Sequence, residues 1–449
     1  LPSEGEKTGS RGEEEMTGRV IKGQAISVLF NAISKSRLDD IRENSRDFTR
    51  KGKIGPVNAV LQILTSERQS MESEILDLSA RTGMPKVSDV AMFRARRKVS
   101  LRFLSSLLKS TIQSFEKRNR LMMNGFGGYR LIAIDGSKLR LPRTIDHREK
   151  LYHGRNKDGV VYMVEIQEAY DIENGLVLDF QINSRGNEKA MALCNIRAIR
   201  NMDRSPKIYV FDRGYSSSRL ISEIMEGGEF FVIRLPSGFY KDGQVLLGEK
   251  AGDIEYDRVF DRANTNEYRD DNGFRMKLLG KPMHLRMVRF EVGDGTVETL
   301  VTNLMSDRMS LGQLKEIYRL RWTVETDYRH CKQRHMIDTF TGRRLRSVLQ
   351  DIYSAELMHV LTLMTIWEAA YDMKWKKYKH RMKINYASAA RALRKSHILD
   401  ELAKEATGFD KILAQFVEGM TKRLVPIRPD RKSKGRSWLG TSKSDTYKK

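Results

Sequence analysis

Two cysteines, Cys194 and Cys331, are all that 449 residues contain. So few exclude a disulfide framework and a cysteine-rich zinc site, and buried thiols in a reducing compartment become the expectation. No uninterrupted apolar run reaches the roughly 18 residues that a membrane span requires. The opening stretch, LPSEGEKTGSRGEEEM, is acidic and polar and lacks the apolar core of a signal peptide. Residues 1–19 therefore read as a disordered tail or tag, with Met16 as a candidate start. No internal repeat is found. Acidic residues are outnumbered: 58 Asp and Glu stand against 81 Lys and Arg, a formal net charge of +23. An excess of that size points to a polyanionic partner, most often nucleic acid. The expectation is a soluble, intracellular protein of two to four domains.

Apolar residues recur at helical spacing from residue 20 to about 125, as in VLFNAISKSRLDDI, VNAVLQIL and FLSSLLKSTIQSF. Within this region ILDLSARTGMPKVSDVAMFRARRKVS has the outline of a helix-turn-helix. A first helix ends near Thr82, Gly83 and Pro85 break it, and Ser88 caps a second. Arg94, Arg96, Arg97 and Lys98 on that second helix are candidate DNA contacts; an ordinary helical hairpin with a solvated basic face is the competing reading. Residues 20–125 are thus a candidate helical DNA-binding domain.

The pattern changes near Gly125. YRLIAIDGSKLRLP, VVYMVEIQEAYD and GLVLDFQINS read as three strands of an antiparallel meander, the last two joined at Asn174-Gly175. A helix capped by Asn187, a strand (KIYVF), a helix and a strand (EFFVIRL) follow, as in a mixed sheet covered by helices. Asp135 and Asp212 are read as ending their strands, where open α/β sheets place ligands. Residues 236–298 read as a β-rich insertion, and a long helix is expected after Ser310. The region from 371 to 449 reads as helical, with a basic disordered tail. That tail, from Thr421 on, carries ten basic and two acidic residues.

The helix after Ser310 contains RLRWTVETDYRHCKQRH, in which Glu325 is surrounded by bases. At about 100° per residue, Tyr318, Arg321, Glu325 and Lys332 fall within about 60° of arc. Ile317, Leu320, Val324 and Cys331 form a neighbouring apolar stripe that would dock the helix on the sheet. Arg321 and Glu325 also have the spacing of a helical salt bridge, of about 0.3–0.5 kcal/mol. That pairing leaves Asp135 and Asp212 unexplained. Two strand-end carboxylates and a third on a docked helix suit two Mg²⁺ or Mn²⁺ ions, which prefer hard oxygen donors.

Tyr318-x2-Arg321-x3-Glu325-x6-Lys332 resembles the signature of the insertion-sequence-four family of DDE transposases. AIDGS and FDRGY resemble that family's regions for the first and second catalytic aspartates. The two aspartates are 77 residues apart, and 113 residues separate Asp212 from Glu325, room for the insertion typical of the family. The resemblance spans residues 20 to 390. It implies an RNase H-like α/β catalytic domain over 126–370, with the β-rich insertion before the catalytic Glu helix and helical regions on either side. Asp135, Asp212 and Glu325 would be catalytic metal ligands, and Tyr318, Arg321 and Lys332 would contact phosphates near the cleaved end. The implied activity is cut-and-paste transposition of double-stranded DNA by a homodimer paired on two element ends. A hairpin intermediate occurs in close relatives, and the implied location is prokaryotic cytoplasm, associated with the nucleoid. An inactive DNA-binding derivative and a metal-dependent nuclease on the same fold are the alternatives.

Relatives use a tryptophan of the insertion to stack on a flipped base. Trp322, Trp367, Trp375 and Trp438 all lie outside it, which leaves Phe239, Tyr240, Tyr256 or Phe274 for that role. Trp322 is expected to pack in support of the site, and Glu188 to favour the start of its helix. Arg213, Arg329 and His330 are DNA contacts or solvated residues. His153 reads as a loop residue, and Asp171, Asp179, Asp257 and Asp261 as surface positions.

Overall fold

The computed structural model describes residues 23–427 apart from 144, 146–150, 157–158, 293–294, 372, 374–378, 396–397 and 404–408. The expected N-terminal tail and the basic tail beyond residue 427 lie outside the described residues. The chain opens with α1 Gln24–Ser34, α2 Leu38–Ile41, α3 Pro56–Thr65, α4 Met71–Thr82, α5 Asp89–Arg97 and α6 Leu101–Asn119. Gly83 ends α4 at φ 72°, a left-handed conformation that glycine adopts without a Cβ clash. The Ser88 hydroxyl accepts the Ala91 N–H and so starts α5.

Nine strands then form one mixed sheet. They are β1 Arg130–Arg140, β2 Tyr152–Asn156, β3 Gly159–Asp171, β4 Leu176–Asn183, β5 Lys207–Phe211, β6 Phe230–Arg234, β7 Gly252–Val259, β8 Pro282–Glu291 and β9 Val297–Thr302. Their order is β2-β3-β1-β5-β6-β9-β8-β7, with β4 beside β3. β1, β3 and β4 make the expected antiparallel meander, and Gly175 turns the chain at φ 66°. β5 lies between β1 and β6, parallel to both, and its five residues are buried. This is why it reads as a continuous apolar run. His153 belongs to β2, which pairs with β3, rather than to a loop. A short edge strand with exposed residues has no apolar alternation to announce it.

Helices α7 Glu188–Met202 and α8 Ser218–Glu226 cover one face of the sheet. The segment 236–298 holds α9 Lys241–Leu247 and α10 Asn272–Leu278 as well as β7 and β8. It does not form a separate β unit, because β8 pairs with β9 and β9 with β6. The segment therefore widens the main sheet.

The other face is covered by α11 Leu311–Leu320, α12 Trp322–His330 and α13 Leu345–Tyr371, followed by α14 Tyr386–Lys395 and α15 Phe409–Met420. A capping box between Ser310 and Gln313 starts α11. The expected single helix tightens at Arg321, where the Arg321 N–H bonds to Tyr318 O and the Val324 N–H to Arg321 O. It then widens into a π-turn at Cys331–His335. α13 is buried on nearly every side and packs against α1, α3, α6, α14, α15 and β4. A helix buried all round is a core element, here shared by both ends of the chain, and its buried polar residues must find partners within the fold.

Two buried polar contacts fasten the N-terminal helices to α13. Glu368 accepts the N–H groups of Gly23 (2.8 Å) and Ala25 (2.6 Å) at the start of α1. Asp351, fully buried, binds Arg68 (2.6 Å), Arg96 (2.8 Å) and the Thr341 N–H (2.7 Å). Burial alone would raise the Asp351 pKa, but Arg68 and Arg96 hold it below the usual carboxylate range. Arg96, expected as a DNA contact, is therefore an interior counter-ion, since its side chain is inaccessible. The face it occupies turns toward α13 and away from solvent. Asp351→Ala would leave two buried guanidinium groups without their carboxylate. The expected cost is about 3–5 kcal/mol of folding stability, measured by urea denaturation at neutral pH.

Candidate active site

The parallel pairing of β1 with β5 puts Ala133 opposite Val210. Two residues further on stand Asp135 and Asp212, at matching positions on neighbouring strands about 4.8 Å apart. Leu131 and Ala133 join the core on the α13 side, while Ile132 and Ile134 join the opposite core. Strand alternation therefore directs Asp135 to the α13 side, and the same count from Ile208 and Val210 directs Asp212 there. Asp212 follows the last residue of β5, as expected. Asp135 does not end its strand: β1 continues to Arg140, paired with β3 alone. What stops after Ala133 is the pairing with β5, and full burial lapses one residue later.

Glu325 reaches this place from the first turn of α12. The Arg321 guanidinium joins the three acids. Its Nη2 lies 3.1 Å from Glu325 Oε1, its Nη1 lies 4.0 Å from Asp135 Oδ2, and Asp212 also raises its pKa. Tyr318 donates its hydroxyl to Asp212 Oδ1 at 3.3 Å. Tyr318 and Arg321 are both buried, so they engage the acids rather than project into solvent. The Arg321–Glu325 salt bridge and the three-acid cluster are one arrangement. The apolar stripe docks as expected, with Ile317, Val324 and Cys331 fully buried.

Burial pushes the Asp135 carboxyl up to about 6; Arg321 and the Gly136 N–H oppose the rise, and Glu325 and Asp212 add to it. Acids that repel one another in a partly dry place are the donor set that a hard divalent cation satisfies. The residues present fit such a cation. On the far side of Asp135, Lys332 donates to the Ser137 hydroxyl at 2.6 Å. The π-turn carries Lys332 to this position.

Three contributors escape the sequence pattern. Tyr328 donates to the Asp135 carbonyl at 2.7 Å and accepts the Glu168 N–H at 2.9 Å, tying α12 to both β1 and β3. Arg234, at the end of β6, lies 3.9 Å from Asp212 and 3.3 Å from Glu298. Glu165 lies beside Glu188, and burial together with Glu188 raises it to about 7. Glu188 opens α7 as expected and lies 3.8 Å from Lys138. A tyrosine between two strands or an arginine at a strand end has no spacing rule, so only the fold shows them.

Other expected positions divide. Arg94 is exposed, and Arg97 and Lys98 are partly exposed, so these three remain on a basic surface. Arg213 and Arg329 are exposed too. His330 stacks on Tyr386 at 4.2 Å, and burial holds it near pKa 4 and neutral. Trp322 does not pack inside: it is 54% exposed, with the Arg321 guanidinium 5.1 Å from its ring. In the 236–298 segment Tyr240 and Tyr256 are buried and Phe239 is stacked on Tyr240, while Phe274 is partly buried beneath Arg219. Asp171 and Asp179 are buried rather than on the surface. Asp171 pairs with Arg130 at 2.6 Å and Asp179 accepts from Asn195 at 2.9 Å. Asp257 and Asp261 are exposed as expected.

Residues 126–361, a span that contains all three acids, match the family model described as "Transposase DDE domain". No curated protein matches the chain. Among solved structures, the cryo-EM structure of a piggyBac transposase synaptic complex with hairpin DNA matches with a TM-score of 0.45 and 10% identity. The match covers 96% of this chain and 91% of that one.

The raised Asp135 pKa has a stability consequence. The folded chain prefers the protonated carboxyl, so this contribution is complete below the ordinary value of 3.8 and is lost as pH rises through about 6. Asp135→Asn removes the penalty of the ionised form. In EDTA at pH 7.5 the variant should be more stable, by up to about 3 kcal/mol, with the gain vanishing below pH 4. Thermal denaturation across pH measures it.

Proposed function

Because the family match covers more than half of its length, the protein belongs to the transposase DDE domain family, and we propose that it is a cut-and-paste DNA transposase of an insertion sequence. It binds terminal inverted repeats of its element, pairs two ends as a homodimer, and acts in the prokaryotic cytoplasm on nucleoid DNA. The catalytic region is RNase H-like. The strand order β4-β3-β1-β5-β6 around the acids supports that reading. The observation that carries the proposal is the meeting of Asp135, Asp212 and Glu325 around Arg321, with Asp135 and Asp212 in matching register.

Asp135, Asp212 and Glu325 would hold two Mg²⁺ or Mn²⁺ ions. When bound, such ions activate a water or a 3′-hydroxyl and stabilise the leaving oxygen of a phosphodiester. The chain's own residues prepare the rest. Arg321 holds the carboxylates of Glu325 and Asp135 against their mutual repulsion, and Tyr318 orients Asp212. Asp135 releases its proton above about pH 6, which leaves it ionised at neutral pH. Lys332, which donates to the Ser137 hydroxyl, would grip a phosphate of the cleaved end. Arg94, Arg97 and Lys98 would grip DNA further out. A hairpin route for the second strand is part of the proposal.

A labelled element end tests it. In Mg²⁺ the protein should join that end to target DNA; cleavage without joining would indicate a nuclease, and binding alone an inactive derivative. Glu325→Ala should lower cleavage by on the order of 10³ or more while end binding stays nearly intact. Loss of binding with unchanged cleavage per bound complex would contradict the role given to Glu325. Lys332→Ala should weaken end binding and reduce its log–log salt slope by about 0.9, the loss of one phosphate contact. Binding isotherms from low to moderate salt measure that slope.

A further inference from the structure

One layer beneath the three acids lies a second polar cluster. Glu168 on β3 is the ladder partner of Asp135. Its carboxyl meets Asp327 of α12 and Glu356 of α13. His359, one turn along α13 from Glu356, completes the group. All four side chains are buried: Glu168, Glu356 and His359 fully, and Asp327 to within 2%. Among the described residues, no N–H or hydroxyl group donates to either oxygen of Glu168 or to Glu356 Oε1; what lies within hydrogen-bond reach of the Glu168 carboxyl is other carboxyls, those of Asp327 and Glu356. After burial itself, the groups acting most strongly on Glu168 are Glu356, Asp327 and Asp135, every one an acid. An unpartnered carboxyl in a dry interior is costly, and three carboxyls facing one another are more so.

We infer that Glu168, Asp327 and His359 bind a divalent transition-metal ion, zinc by preference, at a structural site distinct from the catalytic one. One ligand atom from each of the three lies within 4.8 Å of the others. His359 Nε2 contacts Asp327 Oδ2 directly at 2.8 Å, a hydrogen bond that an ion seated between the two would replace. Its Nδ1 lies 2.5 Å from the Tyr386 hydroxyl, which fixes the ring with Nε2 turned toward the acids. A second partner that orients a ligating imidazole is a usual feature of metal sites. Tyr386 is held in turn by His335 at 2.8 Å. Glu356 supplies a fourth donor, for the mixed nitrogen and oxygen set that zinc accepts. A cleft of about 1020 Å³, lined in part by Asp327, His330 and Tyr386, borders the cluster on its Asp327 side. Bound there, the ion ties β3 to α12 and α13 directly behind Asp135 and Glu325. An inactive chain would bind it equally, so the site does not depend on the transposase proposal.

The test uses the full-length protein carrying Asp212→Asn and Glu325→Gln, which disables the front site. After gel filtration without added metal, elemental analysis should find close to one zinc per chain. Prolonged chelation should lower the melting temperature, and Zn²⁺ alone should restore it. Adding Glu168→Gln or His359→Gln should reduce the retained zinc at least tenfold. If either variant fails to fold, cobalt exchange into the parent chain gives a second readout, a visible absorption band that Zn²⁺ displaces. Less than a tenth of an equivalent of zinc, with no melting shift on adding Zn²⁺, would overturn the inference. So would a Glu168→Gln chain that keeps its zinc, or one that is more stable than the parent with or without Zn²⁺. The last result would mean that the carboxyls share protons instead.

Discussion

The guanidinium of Arg321 is the contact on which the acidic face depends. It is buried between α12 and the sheet, touches Glu325 directly and lies at the edge of ion-pair distance from Asp135. Three carboxyls gathered at one sheet edge repel one another, and desolvation raises the cost of each charge. A fixed cation among them lowers that cost without occupying the side open to solvent. Asp135 still sits well above its ordinary pKa, so the compensation is partial. Residual electrostatic strain of this kind disposes a site to bind cations.

Placing that cation requires two unrelated parts of the chain to agree. The first is the parallel register of β1 and β5, which brings Asp135 level with Asp212. The second is the irregular helix, whose backbone tightens at Arg321 and loosens again at the π-turn. Both deviations fall on residues of the polar line. Tyr328 fastens the two parts by bonding to the backbones of β1 and β3 at once. A hydroxyl bonded to two strand backbones fixes where α12, which carries Glu325, lies against the sheet.

Much of this was legible beforehand where a local rule applies. Gly83, Ser88, Asn187 and Ser310 mark helix ends by chemistry that acts within three residues, and all four do so in the fold. The apolar stripe of α11 and α12 reports its own docking face, and KIYVF its own burial. The failures share a cause: they concern which partner a residue meets across the fold. Arg96 and Arg94 look alike in the chain, yet α13 offers a carboxylate to one and solvent is left to the other. Asp171 and Asp179 look like surface acids until Arg130 and Asn195 approach them. Trp322 lies beside the polar line and away from the docking stripe, and the fold leaves it facing solvent. That the strands of residues 236–298 extend the main sheet is likewise hidden in the chain, because pairing decides which sheet a strand joins.

The span that carries the family pattern closes at residue 361, partway along α13, which continues to Tyr371. Much of that helix is covered by segments lying outside the span: α1, α3, α6, α14 and α15. Trimming the polypeptide to its recognisable portion would amputate the last turns and strip the remainder bare, leaving a long greasy rod in water. The flanks are therefore as much a part of the catalytic body's architecture as the strands that bear its acids. Evolutionary modules and foldable units need not share borders.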